Sequence, residues 1–413
     1  MSVGMEIGRI VLILTAECNM HCSYCYQTAK KALRMTRATL SASLDLALTS
    51  TSPEIELSFV GGEPLLEWSM ISEAVSYVSK KMMPGKRLDF AISTNGLLMT
   101  EEIAAFLDEH KFKVQLSFDG IEPAQDHRGR KSFQDLNDLL DRLRVNNSDL
   151  FKSRLRVSTV QIPSTVPYFA DSIRYLVQKG VREIGISPSL TPSPGWKHGV
   201  IDELDSQFGR IYEESLRHFK QTGEVPLEIF RKTKNQSERT ETTSIRCSAE
   251  TGETIVVDTD GQVYACVLFA ESYQEVASEM FRSFAGPLRM GDLGDAEFHS
   301  RRAAYEGAVK NAGLFRGKEK RHSSYGRCAE CPYLDDCWVC PVSIAYDPAS
   351  KDPNRIPDFI CAFNQVALKY RRQFPYMANP LEKLNSTLKR LASEGSAAVF
   401  SSTYDGNEPV PLG

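Results

Sequence analysis

The stretch Arg9-Ile10-Val11-Leu12-Ile13-Leu14-Thr15-Ala16-Glu17-Cys18-Asn19-Met20-His21-Cys22-Ser23-Tyr24-Cys25 decides the reading of this chain. Five consecutive apolar residues, Ile10 to Leu14, are too few for a membrane span or a secretory core, and no small-residue cleavage site follows. Cys18 is no lipoprotein acceptor, because Glu17 stands where a small residue would be needed. The run reads as a buried strand. Cys18, Cys22 and Cys25 follow it directly with the spacing C-x-x-x-C-x-x-C. Three thiolates on one loop can hold three irons of a [4Fe–4S] cluster and leave the fourth iron open to a small molecule. A structural zinc site wants four ligands, and His21 could be the fourth. The spacing favours iron–sulfur.

Outward from this stretch, strand and helix patterns alternate. Further strands are expected at Glu54–Val60, Arg87–Thr94, Lys113–Phe118, Arg154–Val160 and Glu183–Pro188, with the first over Arg9–Thr15. Helical periodicity falls at Ser69–Met82, Glu101–His110, Phe133–Asn146 and Val166–Lys179, with a last helix near Leu204–Gln221. Six βα units imply a parallel sheet with right-handed crossovers, an open or partial barrel whose site lies at the strands' carboxyl ends. Thr222–Ile245 is polar and reads as a linker or mobile loop. Thr254–Asp258 and Val263–Cys266 flank Asp260-Gly261 as a hairpin. Cys328 to Cys361 is cysteine-dense and loop-rich. Pro375–Arg390 reads as one more helix, and the tail from Ser393 as disordered.

Composition narrows the function classes. The 413 residues carry 49 Lys plus Arg and 53 Asp plus Glu, a net charge of −4, so a basic nucleic-acid footprint is absent. Apolar residues make up 42%, which excludes a mainly disordered chain. No apolar run reaches membrane length, and a cytoplasmic enzyme is expected. In a reducing compartment, ten cysteines are more often metal ligands or catalysts than disulfides.

The segment Cys18 to Cys25 resembles the radical S-adenosylmethionine (SAM) superfamily. The resemblance implies that the open iron chelates the amino and carboxylate groups of SAM, which is cleaved to methionine and a 5′-deoxyadenosyl radical, and that Tyr24 packs near adenine. Gly61-Gly62-Glu63-Pro64 after the second strand looks like the family's methionine-amine motif; taken alone it is a simple strand-to-helix turn. Ser117 and Asp119, at the end of the fourth strand, are placed by the resemblance near the ribose or methionine, against a plain turn-capping role. Arg128 and Arg130 could pair with a carboxylate, although a solvated surface is the commoner place for a single arginine.

Seven cysteines remain: Cys247, Cys266, Cys328, Cys331, Cys337, Cys340 and Cys361. Paired C-x-x-C units are a strong metal signal, for which one zinc is the plain alternative. The set resembles the SPASM extension of peptide-modifying radical enzymes, except that Trp338-Val339 gives an x2 spacing in place of x3. By resemblance, Cys247, Cys266 and Cys340 hold a nearer auxiliary cluster, and Cys328, Cys331, Cys337 and Cys361 a distal one. Three [4Fe–4S] clusters per chain are therefore expected. The expected layout is a partial (βα)6 TIM-like barrel over 1–221, a linker over 222–246, an auxiliary-cluster domain over 247–365, and a helix with a disordered tail over 366–413.

The resemblance implies a peptide or protein substrate and an electron donor such as a flavodoxin or ferredoxin. The favoured reaction is intramolecular crosslinking of a ribosomally made precursor peptide, carbon–carbon (cyclophane type) ahead of thioether. Sulfatase maturation to formylglycine is the alternative. Maturases of that kind carry an Asp directly after the cysteine of Gly-x4-Cys, and here that residue is Val267. Asp258, Asp260 and Tyr264 are the candidate bases. A non-catalytic metal or electron carrier explains the cysteines but not the βα array. About eight residues precede the first strand, too few for a leader-binding domain.

Overall fold

Ile10–Leu14 are all buried, as a parallel strand covered on both faces must be. In the computed structural model this segment is β1 (Arg9–Ile13), an interior strand of a nine-stranded sheet. The structure describes residues 6–375 except 82–84, 192–194, 198, 232–246, 276–277, 296–297, 299–303, 306, 308, 310–314, 316 and 348–349. β2 (Glu54–Val60), β3 (Arg87–Thr94), β4 (Lys113–Ser117), β5 (Leu155–Gln161) and β6 (Ile184–Pro188) follow, each pairing in parallel with its predecessor. This is the expected six-stranded partial barrel, and its strand bounds lie within two residues of the sequence reading.

Helices cover the outer face: α1 (Arg37–Thr49), α2 (Trp68–Lys81), α3 (Glu101–Glu109), α4 (Phe133–Asn146) and α5 (Phe169–Gln178). Met70, Ile71, Ala74, Val75 and Val78 of α2 show why: the i, i+4 spacing puts one apolar stripe on the sheet. The sequence reading did not contain α1. Its buried Leu40, Ser43, Leu44 and Ala47 sit among Ser, Thr and Ala, so its faces differ little in polarity and the period is muted.

The sheet does not stop at β1. β7 (Thr254–Val257) runs parallel to it, Arg9 opposite Thr254 and Leu12 opposite Val257. β8 (Gln262–Tyr264) and β9 (Arg289–Asp292) add antiparallel strands. The expected hairpin is present, with Gly261 at φ +90° in the turn. What sequence did not reveal is that it covers the otherwise open edge of β1. That pairing anchors the residues flanking the hairpin, Cys247 and Cys266, on the barrel.

α6 (Val200–Thr222) ends at Gly223, φ +75°, a left-handed cap. α7 (Asp358–Gln373) packs on it through Phe363 on Phe208, ring centroids 5.3 Å apart, and Tyr370 beside Tyr212 at 5.8 Å. Cys361 therefore lies in the first turn of a helix, in a segment whose sequence reads as loop. The helix expected at Pro375–Arg390 lies, but for Pro375, outside the described residues, as do the tail and most of the linker. No helix among the described residues is long and apolar enough to cross a membrane.

Candidate active site

The cysteine loop is held from behind. Thr15 donates through Oγ1 to Leu33 O (3.0 Å) and accepts from Glu17 N (3.1 Å). Gly62 N donates to Thr15 O (2.8 Å) and Glu63 N to Glu17 O (2.9 Å). A Cβ on Gly62 would stand 2.0 Å from Glu17 O, and one on Gly61 would stand 2.5 Å from Thr15 O. The two glycines are thus required by the approach of two backbones, independent of any ligand. The Glu63 carboxylate is spent inside the protein. It accepts from Leu65 N (3.0 Å), Thr94 Oγ1 (2.7 Å) and Asn95 N (2.7 Å), clipping β2 to the end of β3. Asn95 in turn donates to Asn19 Oδ1 (2.7 Å) and points its amide at Cys18 Sγ (3.8 Å). Pro64 opens the following 3₁₀ turn, where its missing N–H costs nothing.

None of the ten cysteines forms a disulfide. Cys25 lies close enough to act on both Cys18 and Cys22, and Lys30 acts on the same two. Burial pushes the Cys22 thiol up to about 11, against the pull of Arg128. Such thiols become ligands by surrendering protons to a metal centre. His21 is exposed.

Beside the loop lies a buried polar knot. Tyr24 OH donates to Asp119 Oδ2, and Arg128 Nη2 to Asp119 Oδ1 (2.8 Å). Val160 N also donates to Asp119 Oδ1 (2.9 Å), fastening β5 to the knot. The Arg128 guanidinium lies 5.5 Å from the Tyr24 ring centre. Burial works to lower the Arg128 pKa, but Asp119 and then Tyr24 raise it further, so the cation is kept. Its Nε is buried with no partner among the described residues. A surface position was the commoner expectation for Arg128; it is instead buried, because Asp119 on the neighbouring strand end supplies the counter-charge. An orphan donor on a buried cation next to the cysteine loop suits an α-carboxylate. Arg130 is exposed, and Ser117 is half-buried at the end of β4.

The remaining cysteines fall into two neighbourhoods. Burial and then Cys340, with Cys247 beyond, push Cys266 up to about 12. Burial and then Cys361, Cys328 and Cys331 push Cys337 up to about 12. Cys361 accepts from Ser323 Oγ (3.1 Å) and Gln365 Nε2 (3.3 Å). A cavity of about 770 Å³ occupies the barrel lumen, and its lining includes Gly61, Tyr26, Cys247, Cys266 and Val267. Its lower part carries an ionic ladder: Arg9 to Glu56 (3.0 Å), Lys113 to Glu56 (2.8 Å) and Lys113 to Asp89 (3.4 Å).

None of the three candidate bases lines this cavity. Asp258 is buried in the hairpin turn, accepting from Thr259 N (2.7 Å) and Ser272 N (3.1 Å), and burial raises its pKa. Asp260 is exposed and caps the same turn through Gln262 N (3.0 Å). Tyr264 is buried and faces Glu271 and Arg289 in a separate cavity. Tyr26, which follows Cys25 and enters the lumen, was not singled out in sequence; its place next to the cysteine loop was the available signal.

Residues 12–155 match the family described as the Radical SAM superfamily. The chain is 27% identical to the radical SAM cyclopropyl synthase TigE of Paramaledivibacter caminithermalis, over 52% of this chain and 48% of that one. It is 26% identical to the serine-type anaerobic sulfatase-maturating enzyme of Klebsiella aerogenes, over 60% of this chain and 64% of that one. The alignments thus span about half and just under two thirds of these relatives. In structure it is similar to anSMEcpe with bound AdoMet (TM-score 0.66, 16% identity, 89% of this chain and 93% of that one). It is also similar to Streptococcus suis SuiB bound to its precursor peptide SuiA (0.54, 13%, 86% and 76%). With the cysteine loop at the carboxyl end of β1 in a partial parallel barrel, residues 12–155 form a radical SAM domain.

Proposed function

We propose that the protein is a peptide maturase that abstracts a side-chain hydrogen from a ribosomally made precursor peptide and forms an intramolecular crosslink, cyclophane-type carbon–carbon ahead of thioether. One observation carries this reading. The lumen cavity touches both the Gly61 side, where SAM would sit, and Cys247 and Cys266, which with Cys340 would hold a three-cysteine auxiliary cluster. A substrate chain in that space would lie near Tyr26, which neighbours both Cys25 of the SAM-cluster loop and Cys266 of the auxiliary set. Cys328, Cys331, Cys337 and Cys361 would hold a third cluster, and a flavodoxin or ferredoxin would supply the first electron.

Bound at Cys18, Cys22 and Cys25, an iron–sulfur cluster supplies the electron that cleaves SAM. The chain's own residues do the rest. Arg128 would hold the cofactor's carboxylate and Tyr24 would lie against its adenine, while Asp119 fixes both side chains. The backbone carbonyls at Gly61 and Gly62 would accept from its ammonium. Ser117 would face its ribose.

Sulfatase maturation is the second reading, favoured by the relatives from Klebsiella and by anSMEcpe. Against it stands Val267, an apolar residue on the lumen wall next to Cys266. Anaerobic reconstitution is expected to load about twelve irons per chain; stoichiometric zinc would overturn the cluster reading. Replacing Cys18, Cys22 and Cys25 by Ala should abolish 5′-deoxyadenosine formation. Co-expression with a short peptide encoded beside the gene separates the reactions. A loss of two hydrogens supports crosslinking, whereas an unchanged peptide with an aldehyde formed on a sulfatase motif supports the alternative.

A further inference from the structure

Arg321 is only 5% exposed and belongs to neither cysteine motif. Its backbone and side chain grip both ends of the cysteine-dense loop. Cys328 N donates to Arg321 O (2.9 Å), and Arg321 Nη1 donates to Val339 O (2.8 Å), between Cys337 and Cys340. It lines a cavity of about 250 Å³ together with Cys328, Cys331, Cys337 and Cys361. It also reaches the other set. Burial lowers its pKa, and among the cysteines that act the opposite way Cys340 comes first, then Cys328 and Cys337. Lys318 is a second buried cation, with Nζ donating to Leu334 O (2.5 Å) and Asp335 O (3.3 Å). It lines the same cavity and acts on Cys328 and Cys337, both of the four-cysteine set.

We propose that Arg321 is a counter-charge shared by the two auxiliary cysteine sites, raising the reduction potential of both, while Lys318 raises that of the four-cysteine site alone. The inference rests on the cluster reading above. A thiolate-ligated iron–sulfur centre is anionic, and each reduction adds one electron with no bond made or broken. A fixed cation nearby therefore stabilises the reduced form more than the oxidised one, and does so strongly where burial limits screening. Arg321 is a positioning residue in this sense and touches no substrate.

The test is a mediated redox titration of the anaerobically reconstituted full chain, followed by electron paramagnetic resonance, in wild type, Arg321→Gln, Arg321→Lys and Lys318→Met. Iron content is measured first. Wild-type protein without iron at the auxiliary cysteines overturns the cluster reading and this proposal with it. With iron present, Arg321→Gln should lower the reduced-to-oxidised ratio at fixed potential about tenfold at both auxiliary sites, about 59 mV for a one-electron couple. Arg321→Lys should restore both, and Lys318→Met should move one signal only. Unchanged potentials in loaded Arg321→Gln overturn the proposal and leave the cluster reading intact. Should Arg321→Gln fail to load, full loading of Arg321→Lys supports the need for charge. Failure of both variants overturns it, because the shape of the guanidinium would then be what matters.

Discussion

Gly62→Ala tests whether the Gly-Gly-Glu-Pro segment serves first as a backbone clamp on the cysteine loop. The added Cβ would lie 2.0 Å from Glu17 O, 2.5 Å from Glu17 C and 2.8 Å from Ala16 O. Comfortable contact needs about 3.5 Å, so one backbone must withdraw by more than an ångström. All three obstacles are main-chain atoms, and no side chain can turn aside. Withdrawal breaks Gly62 N to Thr15 O and Glu63 N to Glu17 O. Two lost hydrogen bonds cost about 0.5–1.5 kcal/mol each, and overpacking adds about 1–3 kcal/mol. The sum is about 2–6 kcal/mol, or about 5–15 °C in melting temperature. Thermal melts of the metal-free protein read the clamp alone; 5′-deoxyadenosine yield after reconstitution reads its effect on the site. Gly199→Ala is the control, with nothing within 4 Å of the new Cβ. A Gly62→Ala protein that melts within a degree or two of wild type and cleaves SAM normally would refute the reasoning.

Three further outcomes follow from the contacts. Asp119→Asn leaves Arg128 buried beside a neutral partner and should cost about 3–5 kcal/mol in chemical denaturation; a loss below about 1 kcal/mol would show that Arg128 is not dependent on that charge. Glu63→Gln turns an acceptor of three donors into an amide that must face one of them, a cost of about 1.5–3 kcal/mol, and titration of SAM binding should show weaker affinity through displacement of Thr94 and Asn95. Glu56→Gln removes the hub of the lumen ladder but should change stability by less than about 1 kcal/mol, since Arg9 and Lys113 are 48% and 55% exposed and can turn to water; a melting shift as large as that of Asp119→Asn would contradict this.

The barrel was legible because its parts are local. β2 and β3 run over the residues their apolar and β-branched runs marked, and α4 over those its period marked. α1 is faint in sequence because its buried Ser43 and Ala47 blur the contrast between faces, whereas α7 carries a readable apolar face in Phe359, Phe363 and Val366. Arg128 could not be read as buried, since its partner Asp119 sits nine residues away behind a turn of unknown path.

Spacing by itself determined which cysteines act together on one loop, because three residues between Cys18 and Cys22, and two between Cys22 and Cys25, confine those thiols wherever the loop lies. It determined the six βα units for the same reason, each being specified by a short run of residues. Only the tertiary structure decided that the hairpin seals β1 and that Cys247 and Cys266 meet the lumen. Those relations depend on β7 finding the edge of β1 across some 240 residues, and on α7 finding α6 across 150. Contacts of that range are chosen by the packing of whole surfaces, which no window of sequence contains.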